Sequence, residues 1–81
     1  MFNIDIMSTY NSGDHVKVEF ADERSGESEW MWVEVDHSND ETRLLFGRLD
    51  SQPIISTKLK VGQELAISYD KIRDHRRFQQ S

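Results

Sequence analysis

An all-β fold, a small five- to six-stranded barrel or curled antiparallel sheet with a short helical turn near the C-terminus, is predicted from three features of the sequence. Short alternating apolar segments recur at intervals of about 8–12 residues. Clusters of Asn, Gly, Asp and Ser separate them, as at Asn11-Ser12-Gly13-Asp14. No stretch fits a helix of ordinary length.

The stretch Ser28 to Asp36 (Ser-Glu-Trp-Met-Trp-Val-Glu-Val-Asp) carries the clearest alternation. Met31, Val33 and Val35 fall on one side and read as core. Trp30, Trp32 and Glu34 fall on the other. Upstream, His15 to Phe20 places Val16, Val18 and Phe20 on one face and His15, Lys17 and Glu19 on the other. The polar run Asp22-Glu23-Arg24-Ser25-Gly26-Glu27 then makes a hairpin loop, so these two strands pair antiparallel. Phe2, Ile4 and Ile6 alternate and predict a short first strand or an ordered arm; Met7 is a candidate internal start.

After Val35, Asp36 to Glu41 reads as a second loop and Thr42 to Leu49 as the third strand. Leu44 and Phe46 share one face and Leu45 takes the other. Gly47 marks a bulge or sharp bend, and such a shift would return Leu49 to the core. Asp50-Ser51-Gln52-Pro53 is a turn, followed by the short apolar piece Ile54-Ile55. Leu59-Lys60-Val61-Gly62-Gln63-Glu64 is a turn in which Gly62 supplies a positive φ. Leu65 and Ile67 alternate in a further strand. Ser68 caps a helical turn, with Tyr69 and Ile72 on its inner side. The polar end from His75 to Ser81 is expected to fray.

Gly13-Asp14-His15-Val16-Lys17-Val18 and Gly62-Gln63-Glu64-Leu65-Ala66-Ile67 are two glycine turns feeding alternating strands. That pairing recurs in SH3-like barrels, which makes such a barrel the expected closed form. The 81 residues make one domain, 1–81, with a core over 13–75 and a tail over 76–81. A chain of this size buries only about 60% of its unfolded surface.

Several segments stand in an order that resembles a family of small uncharacterised bacterial domains, the domain of unknown function numbered 2314. They are Val16-Lys17-Val18-Glu19-Phe20, Met31-Trp32-Val33-Glu34-Val35, Gly47-Arg48-Leu49-Asp50 with Pro53, Leu59-Lys60-Val61-Gly62, and Ile72-Arg73-Asp74. The resemblance covers about Gly13 to His75. Gln63 stands where the family usually has a charged residue, and His75 where it has an aromatic. The resemblance implies a β-rich domain and no defined activity. Related small domains look similar to immunity proteins of bacterial toxin systems, which implies a protein partner.

The formal charge is −5, with Lys71, Arg73, Arg76 and Arg77 gathered near the C-terminus. An acidic body argues against a general nucleic-acid binder and suits a basic protein partner. The chain has no cysteine, hence no disulfide and no thiolate zinc site. Without a signal-peptide pattern or an apolar run of about 18 residues, it reads as a cytoplasmic protein away from membranes.

The candidate binding residues are Trp30, Trp32, Glu27, Glu29 and Glu34, an acidic and aromatic face for a protein partner. Two aromatics on one side also suit a second small core beneath Ile72, Tyr69 or Phe78, with Trp32 the better candidate for burial. An alternative nucleic-acid contact is Tyr69, Arg73, Arg76 and Arg77, whose cations would grip phosphate. His15, His37 and His75 lack the spacing of metal ligands and read as surface residues; no metal or cofactor is expected. Asp36-His37-Ser38 is no triad, because adjacent loop residues supply neither the geometry nor an oxyanion hole. Glu34 and Asp36 on a solvated sheet face lack the apolar cleft that raises a general acid's pKa. The sequence therefore predicts a non-enzymatic binding module, a monomer or weak homo-oligomer, with assembly through a sheet edge as a further reading.

Overall fold

A computed structural model of the chain describes residues 9–22, 24–54 and 58–78. Five strands appear in chain order: β1 (His15–Ala21), β2 (Ser28–Asn39), β3 (Leu44–Leu49), β4 (Glu64–Ser68) and β5 (Ile72–Arg76), with a 3-10 turn at Tyr69–Lys71 before the last. They form one antiparallel sheet in the order β4-β3-β2-β1-β5. The tryptophan strand β2 is therefore its middle. The expected strand or arm at Phe2–Ile6, Met7, Glu23, Ile55 and the Gln79–Ser81 end lie outside the described residues.

The apolar alternation sets the inner face. Val16 and Val18 of β1, Met31, Val33 and Val35 of β2, Leu45 and Leu49 of β3, Ile67 of β4 and Tyr69 form the buried core. Tyr10, Phe20, Leu59, Leu65 and Ile72 pack around them. Nine buried apolar side chains from four strands and the turn give each strand a fixed phase, because a one-residue slip would turn its apolar set to water.

The sheet is curled rather than closed. A barrel needs its two end strands paired, and β4 and β5 pair with β3 and β1 only. The turn at Tyr69–Lys71 carries the chain from one edge to the other and sinks the Tyr69 ring into the core between them. This turn starts as predicted: the Ser68 hydroxyl accepts a hydrogen bond from the Asp70 N–H.

Three differences from the sequence pattern have a common kind of cause. First, β2 runs on to Asn39, through residues expected to form a loop. A register shift between Val35 and His37 places an extra residue, Asp36, in the strand, and such a bulge interrupts alternation without ending pairing. Second, β3 buries Leu45, Gly47 and Leu49 and leaves Leu44 and Phe46 on the outer face. The irregularity lies in β2, opposite Gly47, so Leu49 reaches the core with no change of phase in its own strand. A Cβ at Gly47 would stand 2.2 Å from the Glu34 carbonyl oxygen, which explains why glycine occupies this crossing. Third, the segment from Ile72 is a strand on β1, held by backbone pairing that its charged sequence conceals. It includes His75 and Arg76, and the Phe78 N–H beyond it donates to the Asp14 carboxylate at 2.8 Å.

The turn before β4 has Gly62 at φ 86°, as the sequence predicted, with the Gly62 N–H donating to the Leu49 carbonyl. Ile54 is 87% exposed, so the apolar pair at 54–55 contributes no core side chain from its first member.

Candidate functional site: the outer face of the sheet

The outer face is built by register. Across all five strands runs the row Arg76–His15–Glu34–Arg48–Glu64, each residue opposite the next. The opposite charges of Glu34, Arg48 and Glu64 at neighbouring positions favour this alignment. A second row sets Asp74, Lys17 and Trp32 side by side, and a third sets Glu19 against Trp30. β1 through its odd-numbered residues and β2 through its even-numbered ones thus form one continuous outer surface around two indoles.

Trp30 is 55% exposed. Trp32 is half-buried, and what covers it is charge. The Lys17 ammonium lies 5.0 Å from its ring centroid and the Arg76 guanidinium 5.2 Å. Such cation–π contacts at exposed sites contribute about 0.5–1 kcal/mol each. They also hold two cations close together on an acidic protein. Among the described residues neither Lys17 nor Arg76 sits in an ion pair. The backbone of Trp32 is anchored by the residues just after β3: its N–H donates to the Ser51 hydroxyl at 2.9 Å, and its carbonyl accepts from the Asp50 N–H at 2.8 Å. This brings Asp50 to the His15 ring, 3.0 Å from Nε2. His15, Lys17, Trp32, Asp50 and Arg76 together line an open depression of about 410 Å³.

Beside Trp30, the Arg73 Nε–H donates to Glu19 at 2.9 Å, and this bond holds the Glu19 carboxyl below the usual carboxylate range. A second Arg73 N–H donates to the Asp70 carbonyl at 2.8 Å, fixing the side chain along the edge.

The sequence-predicted residues divide among three places. Trp30, Trp32 and Glu34 lie on the outer face, with Glu34 exposed between His15 and Arg48. Glu27 is exposed in the hairpin loop. Glu29 shares the inward phase of Met31, pairs with Phe20, and accepts the Ile54 N–H at 2.7 Å, so it tethers the loop after β3 rather than joining the tryptophan face. Trp32 is not packed beneath Ile72 or Tyr69 as a second core, and Phe78 is itself 59% exposed. Tyr69 belongs to the inner core and Ile72 packs against it, on the opposite side of the sheet, and two cations take their place on Trp32.

Of the alternative set, Arg73 and Arg76 reach the outer face, and Arg77 is exposed beyond it. Tyr69 does not accompany them: it is 8% exposed, and its hydroxyl donates to Asp40 at 2.6 Å. Burial pushes the Tyr69 hydroxyl up and the bond to Asp40 pushes it further, while the same bond holds the Asp40 carboxyl low. The structure therefore merges the aromatic and basic candidates at Trp32–Arg76. Lys17, His15 and Asp50 are the members that sequence reasoning passed over. The alternation of β1 had placed His15 and Lys17 outward, a signal available without coordinates; the approach of Asp50 had none.

The three histidines go to separate places. His15 meets Asp50, His37 stacks on Phe46 with centroids 4.8 Å apart, and His75 turns inward to the carboxylate of Asp14. Asp14 is 3% exposed and is fully engaged. Burial pushes its carboxyl up, but the Phe78 N–H, the His75 ring and the Asn11 N–H together hold it below its ordinary value. This cluster fastens β5 to the start of β1 and thereby positions Arg76 over Trp32.

Fold and face together define a small open-sheet β domain with one apolar face turned inward and an aromatic, charge-patterned face turned out. Residues 5–81 match the family described as uncharacterized protein conserved in bacteria (DUF2314), and the chain belongs to it. No curated protein and no solved structure matches the chain. Among the described residues no helix is long and apolar enough to cross a membrane.

Proposed function

We propose that this domain is a non-enzymatic protein-binding module that docks a partner on the outer face around Trp30 and Trp32. The observation that carries this reading is the exposure of Trp30 on a sheet whose core is complete without it. An indole left largely in water on a rigid central strand can bury a large area at low entropic cost when a partner arrives. Lys17, Arg76, Glu34 and the Arg73–Glu19 pair would supply the polar rim that sets orientation.

The net charge of −5 favours a basic partner in long-range encounter. A toxin domain held by an immunity-like protein is one such partner, in keeping with the resemblance of related small domains. A nucleic-acid contact through Arg73, Arg76 and Arg77 is the weaker reading. Arg73 is already committed to Glu19, and Tyr69 offers no surface ring for a base.

The test is affinity capture with the immobilised protein, comparing Trp30→Ala with Val61→Ser, a change at another exposed apolar residue, in the β3–β4 connection. Loss of one defined partner with Trp30→Ala and its retention with Val61→Ser supports the reading. Equal capture by both variants removes the face from consideration. Binding of a single-stranded polynucleotide that weakens steeply with salt would move the assignment to the arginines.

A further inference from the structure

We propose that the chain forms a two-fold symmetric dimer by pairing β4 with β4 of a second copy, antiparallel about Ala66. The open sheet has two edges, β4 and β5, and they differ in how they are guarded. β5 carries Arg73, Asp74 and Arg76, and its pairing with β1 is broken by a register shift between Lys17 and Val18. Charge and irregularity of this kind discourage further strands. β4 reads Glu-Leu-Ala-Ile-Ser, has no proline or lysine, and pairs with β3 without a shift.

The groups presented by that edge follow from the ladder. The Leu49 N–H donates to the Gln63 carbonyl, and the Tyr69 N–H donates to the Arg43 carbonyl. In an antiparallel ladder every second residue bonds to the same neighbour. Gln63, Leu65, Ile67 and Tyr69 therefore face β3, and the backbone groups of Glu64, Ala66 and Ser68 point to the free edge. Among the described residues no hydrogen bond reaches that edge from another segment.

The edge is self-complementary. About a two-fold axis at Ala66, each Ala66 exchanges its N–H and carbonyl with its copy, and Glu64 falls opposite Ser68. No like charges meet, and the central side chain is exposed and small. Isologous pairing of this kind closes on itself as a dimer rather than growing into a fibre. The partner is a second copy because the same five residues serve both sides of the junction.

Sedimentation equilibrium of the full chain over a wide concentration range tests this. The wild type is expected to pass from one to two chain masses, and Ala66→Lys, which sets two ammonium groups facing across the axis, is expected to stay monomeric with an unchanged circular dichroism spectrum. Trp30→Ala is expected to dimerise like the wild type, which keeps this result separate from the docking face. Amide exchange on the wild type provides the check that needs no variant: protection of the Ala66 amide should rise with concentration while that of the β5 amides does not. A wild type that is monomeric at the highest concentration, or a dimer that survives Ala66→Lys with Ala66 unprotected, overturns the proposal.

Discussion

The His75 ring nitrogen Nε2 meets the Asp14 carboxylate at 2.8 Å across a separation of 61 residues, joining the last strand to the turn that opens the first. Asp14 also accepts the backbone N–H groups of Asn11 and Phe78, so one buried carboxylate closes three local structures at once. Replacing it by Asn removes the charge from three donors. Charge-assisted bonds are typically stronger than neutral ones, and Asp14→Asn should cost about 2–3 kcal/mol in urea unfolding at neutral pH.

The same carboxylate predicts an acid dependence. Its pKa is lower in the folded chain than in the unfolded one, so its contribution is complete above the unfolded value of about 4 and is lost as pH falls through the folded value. The stability gap between wild type and Asp14→Asn should therefore be constant near neutrality and narrow in acid. Urea midpoints of both proteins across the acid range would show it; a gap that widens in acid would contradict the assignment.

Gly47 crosses Glu34 at a distance no side chain tolerates. Gly47→Ala places a methyl group 2.2 Å from a carbonyl oxygen and 2.9 Å from a Val33 methyl, so the backbone of β2 or β3 has to move. The cost should be on the order of 3 kcal/mol, at the upper end for overpacked sites. A thermal melt compared with Gly26→Ala, which meets nothing within 4 Å and carries only the strain of a φ of 76°, shows that the Gly47 loss comes from the clash if it is the larger.

The two indoles should respond differently to substitution. Trp30→Ala should leave stability within about 0.5 kcal/mol of the wild type, as for exposed residues without special roles. Trp32→Ala should cost more, about 1–2 kcal/mol, because two cation contacts and half-buried area go with it. Iodide should quench Trp30 readily and Trp32 less, read from Trp32→Phe and Trp30→Phe respectively.

Tyr69→Phe removes the hydroxyl that donates to the Asp40 carboxylate at 2.6 Å, while the Thr9 N–H and hydroxyl still donate to it. The Asp40 pKa, held low chiefly by this bond, should rise towards its ordinary value. Carboxyl chemical shifts followed against pH would register the change, and an unmoved Asp40 titration would count against the bond.

Most of the inner face was legible without coordinates. Val16, Val18, Met31, Val33, Val35 and Ile67 follow from alternation alone, because side chains of a strand take opposite sides in turn and only one side of this sheet is dry. The Ser68 cap and the positive φ of Gly62 were equally readable, since each depends on a residue type that serves its own backbone. The extra length of β2, the phase of β3 and the existence of β5 were not. The bulge at Asp36 breaks the pattern that signals a strand, and Ile72 to Arg76 has a charged sequence whose strand form is imposed by pairing with β1.

For the outer face the division is sharper. Sequence by itself determined that Trp30, Trp32, His15 and Lys17 point away from the core, since parity along a strand is a local property. Tertiary structure alone decided that Arg76 comes over Trp32, that Asp50 comes to His15, and that Tyr69 leaves the basic cluster for the core. Those placements depend on which strands become neighbours and on how the chain crosses from β4 to β5, and neither is written in any one segment: both follow from the joint burial of apolar residues contributed by the whole sheet.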